Sequence, residues 1–385
     1  MWTKVIIFLC LVGFCQISNG SLGDVVDFLK EFTDFTKNFK RTYKNPTEQQ
    51  ARFETFKENF QELLQIQQQH QGTNDFGVTD FMDWTKEERA LLSGVRGVPT
   101  HQEPSKVLPA APSRAKRSTP TSYNWQTYNK VTPVKNQGQC GSCWAFASVA
   151  VMETVWAIKN GSLLDLSEQN LVSCVTSNSG CQGGYPPYAL VYERSTGIAS
   201  ESAYPYTATN GTCKSVAPKT FTTDWWYVGT NESQLTTQLY SLGALVYTMW
   251  VPNSMFYLTN TSGVYYPSTS DCQTAANAGA GHAVTVVGYG VDSTSGYPYW
   301  LIKNSWGTGW GNAGYFKLYR GANVCSMGSS WWAASATSPA WTCTNVDDED
   351  SCKQWQSLGY CASTSQYYSF MTANCKAACG LCSSG

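Results

Sequence analysis

The chain has 385 residues, 26 Lys and Arg against 27 Asp and Glu, and an apolar fraction of 42%. That length is too great for one ordinary core, so two or three folding units are expected. A net charge of −1 gives no electrostatic reason to expect nucleic acid or an anionic membrane surface as a partner.

The first residues run from Lys4 through an apolar stretch, Val5 to Cys15, into the small polar run Ser18, Asn19 and Gly20, the order of a secretory signal peptide over 1–20. The apolar stretch is shorter than the roughly 20 residues a spanning helix needs, and no later segment resembles a span. Export sends the cysteines to an oxidising compartment, where they pair, and the expected destination is extracellular or lysosomal. Acceptor triplets for N-glycans begin at Asn160, Asn210, Asn231 and Asn260 and fit the same route.

From Asp24 to about Gln71 the chain is rich in Glu, Lys, Gln and Phe. Asn45 can cap a helix whose first turn holds Pro46, with Glu48 third. Glu48, Arg52, Phe56, Asn59, Leu63 and Gln67 then follow at spacings of three and four, along one helical stripe. Between Ser93 and Pro120 the composition turns to Pro, Gly, Ser and small residues, which predicts an exposed, extended connector. It carries Arg114-Ala-Lys-Arg117, a spacing that suits a furin-like processing protease cutting after Arg117. Self-cleavage elsewhere in the connector is the alternative.

From Ser118 to Thr337 the sequence is aromatic and glycine-rich, with one long apolar segment, Cys143 to Ile158. Short strand-like runs come much later, Ala283 to Tyr289, Tyr299 to Lys303 and Tyr315 to Tyr319. A helical first half and a β-rich second half predict an α+β domain in two lobes. From Trp341 onward a third, cysteine-dense unit begins.

Once the signal and the segment up to 117 are removed, thirteen cysteines remain, seven before Thr337 and six between Cys343 and Cys382. An odd seven leaves at least one thiol unpaired or shared between chains. Of three histidines, His70 and His101 lie in the removed part, so only His282 can serve the mature protein. One odd cysteine and one histidine in an exported protein are candidates for a thiolate–imidazole couple. Cys143 opens the apolar helix in Gln137-Gly-Gln-Cys140-Gly-Ser-Cys143-Trp144, where the helix's positive end lowers a thiol pKa.

These residues resemble the papain family of cysteine peptidases, of the cathepsin L type. Gln137 to Trp144 resembles the nucleophile segment, Gly281-His282-Ala283-Val284 the histidine strand, and Lys303-Asn304-Ser305-Trp306-Gly307 the segment supplying the third catalytic residue. The resemblance implies a papain-like fold, with a helical left lobe and a β-barrel-like right lobe over 118–337, and a cysteine endopeptidase that needs no cofactor or metal. It implies Cys143 as nucleophile, His282 as proton carrier, Asn304 as its orienter and Gln137 in the oxyanion hole, with Trp306 shielding the His282–Asn304 contact. It further implies disulfides Cys140–Cys181, Cys174–Cys213 and Cys272–Cys325. The main specificity pocket would be lined by Tyr185, Pro186, Thr248, Ala283 and Ser330; no charge lies there, so an apolar or aromatic residue is expected two places before the cut.

The helical stripe and Gly77, Thr79, Phe81 and Asp83 resemble the two motifs of cathepsin propeptides, which implies an inhibitory segment over 21–117, helical to about 92, and hence a zymogen. The tail at 341–382 resembles the ShK toxin-like module, implying pairs Cys343–Cys382, Cys352–Cys375 and Cys361–Cys379. Ser369-Phe370 stands where channel-blocking members carry Lys-Tyr, so a docking role for an unidentified ligand is expected. The expected partners are protein and peptide substrates and the chain's own propeptide, with a monomeric enzyme. The rival readings are a zinc site or redox pair built on the Cys-x-x-Cys spacings, and a non-catalytic or toxin-like binding protein on a protease fold.

Overall fold

The computed structural model describes residues 26–69, 76–95, 119–259, 263–337, 349–375 and 378–379. The signal peptide, the Arg114–Arg117 cluster, His70, His101, Asn260 and the Cys343–Cys382 pair lie outside the described residues.

The N-terminal part packs three helices, α1 (Phe28–Asn38), α2 (Pro46–Gln69) and α3 (Lys86–Ala90). Asp27 caps α1 by accepting from the Lys30 N–H. Asn45 caps α2 the same way, taking the Glu48 N–H at 2.9 Å, while the Glu48 carboxylate reaches back to the Lys44 N–H at 2.6 Å. Phe32 and Phe35 of α1 meet Phe56 of α2, and Phe28 meets Phe60, in a small aromatic core. The polar members of the α2 stripe bind the loop that follows. Arg52 holds Glu88 at 2.7 Å and the Asp83 carbonyl at 2.8 Å. Asn59 donates to the carbonyls of Met82 and Trp84, and Gln67 to that of Phe76. Periodicity that looks merely amphipathic is therefore a row of donors shaping residues 76–88.

The larger unit begins with the short strand β1 (Tyr123–Asn124) and three helices, α4 (Cys143–Asn160), α5 (Glu168–Cys174) and α6 (Pro186–Ser195). Nearly every side chain of α4 is buried, so it runs through the middle of the domain, and it stops where Gly161 turns left-handed at φ 79°. Then come β2 (Phe221–Tyr227), α7 (Glu232–Leu242), β3 (Leu245–Trp250), β4 (Val264–Tyr265), α8 (Thr269–Asn277), β5 (Gly281–Val291), β6 (Pro298–Lys303), β7 (Tyr315–Tyr319) and β8 (Ser326–Thr337). The three strand-like runs of the sequence fall in β5, β6 and β7.

The sheet runs in the order β2-β8-β3-β5-β6-β7-β4, with β1 beside β5. All pairings are antiparallel except β4 with β7. The described strands form an open path, which corrects the expectation of a barrel-like lobe: β2 and β4 pair on one side only. Helix α4 packs across β5 and β8 and joins the helical lobe to the sheet. In the tail, α9 (Glu349–Ser357) and α10 (Tyr368–Asn374) are tied by Cys352–Cys375 and Cys361–Cys379 around Met371.

Candidate active site

Cys143 is the first residue of α4, and among the described cysteines it alone has no disulfide partner. Its neighbour Cys140 is bonded to Cys181, which excludes a working Cys140–Cys143 dithiol. Cys174–Cys213 and Cys272–Cys325 close the rest of the domain. No group of His, Cys, Asp or Glu among the described residues could hold a metal ion. The loop before α4 is pinned from several sides. The Gly141 N–H donates to the Cys181 carbonyl at 2.9 Å, and Tyr206 donates to the Gln137 carbonyl at 2.8 Å. With its proton so used, Tyr206 accepts from Ser142 at 2.7 Å.

His282 stands second in β5, paired in register with Met249 of β3, and Asn304 follows the last residue of β6. The two meet at 2.8 Å between His282 Nε2 and Asn304 Oδ1. Asn304 Oδ1 also takes the Ser305 N–H at 2.9 Å, so this atom is an acceptor and His282 carries its proton on Nε2. Nδ1 is then the free base; it is buried and has no hydrogen-bond partner. Trp306 covers the pair, its ring 4.9 Å from that of His282 and 1% exposed. Gln137 is fully buried, with Oε1 taking the Ser305 hydroxyl at 2.7 Å and Nε2 donating to the Cys140 carbonyl at 2.9 Å.

The N-terminal segment fills this site. Phe81 stacks edge-on to Trp306 and Phe256, and Thr79 donates to the Phe256 carbonyl at 2.7 Å. Further on, the backbone lies directly over the catalytic candidates. Gln137 Nε2 also donates to the Leu92 carbonyl at 3.2 Å. The Gly184 N–H donates to the Gly94 carbonyl at 2.7 Å, the Val95 N–H to the Gly281 carbonyl at 2.9 Å, and Val95 pairs with Gly184 in the parallel sense. Contact is so close that a Cβ on Gly94 would lie 2.0 Å from the Gly141 carbonyl oxygen, and one on Gly281 2.6 Å from that of Val95. Leu92, Gly94 and Val95 are buried. This corrects the expectation of an exposed connector for residues 93–95, where Gly94 serves for close approach.

Burial under this strap governs the titration of both groups. It pushes the Cys143 thiol up to about 11 against the backbone of Ala283, Gly94 and Trp144, and the His282 imidazole down to about 4 against its Asn304 bond. At neutral pH the covered pair is thus thiol and neutral imidazole.

Tyr185, Pro186, Thr248 and Ala283 are buried; Thr248 of β3 pairs with Ala283 of β5, and Tyr185 and Pro186 stand at the start of α6. Asn178 fixes Tyr185 through both its amide and its carbonyl. The Tyr185 ring meets Trp332 of β8, a residue sequence reading passed over because the aromatic run there gives no cue to which ring faces the cleft. Ser330 lies in the same strand. Asn160, Asn210 and Asn231 are all exposed, although both amide atoms of Asn210 are bonded, to the Cys181 N–H and to Gln182.

Family models match most of the described chain. Residues 119–335 match the papain family cysteine protease, 32–89 the cathepsin propeptide inhibitor domain and 342–382 the ShK domain-like family. A viral cathepsin of Orgyia pseudotsugata multicapsid polyhedrosis virus is 32% identical over 83% of this chain and 96% of its own length. Digestive cysteine proteinase 1 of Homarus americanus is 35% identical over 75% and 89%. The solved structure of a digestive procathepsin L2 proteinase from Tenebrio molitor larval midgut superposes with a TM-score of 0.70 at 31% identity, covering 80% of this chain and 99% of that one.

Proposed function

The chain belongs to the papain family of cysteine proteases and carries that family's propeptide, and from this premise we propose that Cys143, His282, Asn304 and Gln137 form the catalytic machinery of the endopeptidase. The observation that carries the reading is the His282–Asn304 bond, which leaves Nδ1 as a buried base, in the same covered site as the one free thiol among the described residues, at the start of α4. In the uncovered enzyme, His282 takes the Cys143 proton and the thiolate attacks the substrate carbonyl. The imidazolium then protonates the leaving amine, and the neutral ring activates the water that releases the acyl enzyme. Gln137 Nε2 and the Cys143 backbone N–H bind the oxyanion; the Leu92 carbonyl bonded to Gln137 stands in for it in the zymogen.

Tyr185, Pro186, Thr248, Ala283 and Ser330 form the specificity pocket, which selects an apolar or aromatic residue two places before the cut. Residues 21–117 are the propeptide, released by cutting after Arg117. The protein enters the secretory pathway through its signal peptide and acts outside the cell or in lysosomes as a monomer glycosylated at Asn160, Asn210, Asn231 and Asn260, while the tail docks it to an unidentified ligand. The test compares acid-activated wild type with Cys143→Ala on peptides with Phe or Leu at the second position before the cut. Turnover is expected to vanish in the variant, and equal rates would overturn the assignment.

A further inference from the structure

Helix α6 carries a carboxyl group that the chemistry does not use. Glu193 is 0% exposed, wedged between α6, strand β2 and helix α4. Its Oε2 meets the Thr222 hydroxyl at 3.0 Å, a group that also lies 2.9 Å from the Met152 sulfur, and its Oε1 has no partner. A carboxylate so placed lacks the two or more donors that normally satisfy its charge.

No countercharge makes up the deficit. The ionisable groups on the surrounding elements are Tyr188, Tyr192 and Arg194 on α6, Asp224 and Tyr227 on β2, and Cys143, Glu153 and Lys159 on α4; β8, which backs β2, carries none. Glu153 is bound to Lys135 at 3.0 Å, and Lys159 donates to the Ala336 carbonyl at 3.0 Å. None of these groups acts on Glu193. Burial alone pushes its carboxyl up to about 8, opposed only by the Thr222 bond.

We propose that Glu193 is a stability switch that confines this protease to acid: it is folded in as a neutral acid, and its ionisation toward neutral pH forces open the α6–β2–α4 junction. The sign follows from linkage. The unfolded chain loses this proton near its ordinary value of 4.5 and the folded chain near 8, so between those values the folded state binds more protons. Its stability is therefore fully present below about 4.5 and falls as the pH rises toward 8. An enzyme carried from an acidic compartment to a neutral one would limit itself without any inhibitor.

The experiment measures the unfolding half-life of the full-length protein in fixed denaturant at about pH 5 and about pH 8, for wild type, Glu193→Gln and Glu193→Met. Wild type is expected to lose at least about tenfold in half-life across that interval, and both variants less than about threefold. Variants that decay in parallel with wild type would overturn the proposal. The proton can also be read directly by infrared titration in a Glu168→Gln background, which removes the other fully buried carboxyl with a strongly raised pKa. A protonated-carboxyl band persisting at about pH 6.5 supports the switch, and its loss by about pH 5 overturns it even if neither Glu193 variant folds.

Discussion

The amide of Gln137 makes contacts that only a positioned donor needs. Ser305 holds its oxygen, which turns Nε2 toward the Cys140 and Leu92 carbonyls and leaves no rotational freedom in a fully buried side chain. If the Leu92 carbonyl stands where a substrate oxyanion forms, Gln137→Ala should lower kcat of the activated enzyme about 10²-fold with KM little changed. Steady-state kinetics on a small peptide checks this, and a loss confined to KM would assign Gln137 to ground-state binding. Cys143 and His282 were singled out as candidates by counting, because parity left one cysteine over and removal of the N-terminal segment left one histidine. The tautomer of His282 was not legible, since it depends on which atom of Asn304 faces the ring, and that is set by the Ser305 N–H.

At the scale of elements, the strap Leu92–Val95 explains latency better than any single bond. It buries the thiol, which raises its pKa and holds the covered sulfur in the protonated form at neutral pH. A side chain on Gly94 cannot be accommodated against the Gly141 carbonyl, so Gly94→Val should lift the strap. The expected outcome is alkylation of Cys143 by iodoacetamide at least about tenfold faster than in wild-type zymogen at neutral pH. Unchanged alkylation would show that the aromatic anchor of Phe81 on Trp306 and Phe256 suffices alone. The α2 stripe was readable because helical periodicity is local. The strap was not: Ser93 and Gly94 read as the start of a solvated linker, and only the facing backbone of Gly141, Gly184 and Gly281 gives their smallness a purpose.

For the molecule as a whole, the modules differ in what holds them together. The peptidase has a continuous apolar core running through α4 and the sheet, whereas the described tail centres on two disulfides, Met371 and a few aromatic rings. So small a unit depends on its crosslinks. A chain ending after residue 340 should accordingly keep wild-type turnover of small peptides while losing any localisation the tail provides, as read by kinetics and by imaging of tagged protein. A fall in peptide turnover would instead make the tail part of the catalytic unit.

The sequence by itself determined the α+β class and singled out Cys143 and His282 as a candidate couple, because these rest on composition, cysteine parity and local periodicity. Tertiary structure alone decided that the sheet stays open, that Trp332 backs Tyr185, that the strap covers the site of Cys143, and that Glu193 is buried without a countercharge. Each of those depends on which backbone or side chain arrives from a distant part of the chain, and a carboxyl in a helix looks the same in sequence whether it faces water or the core.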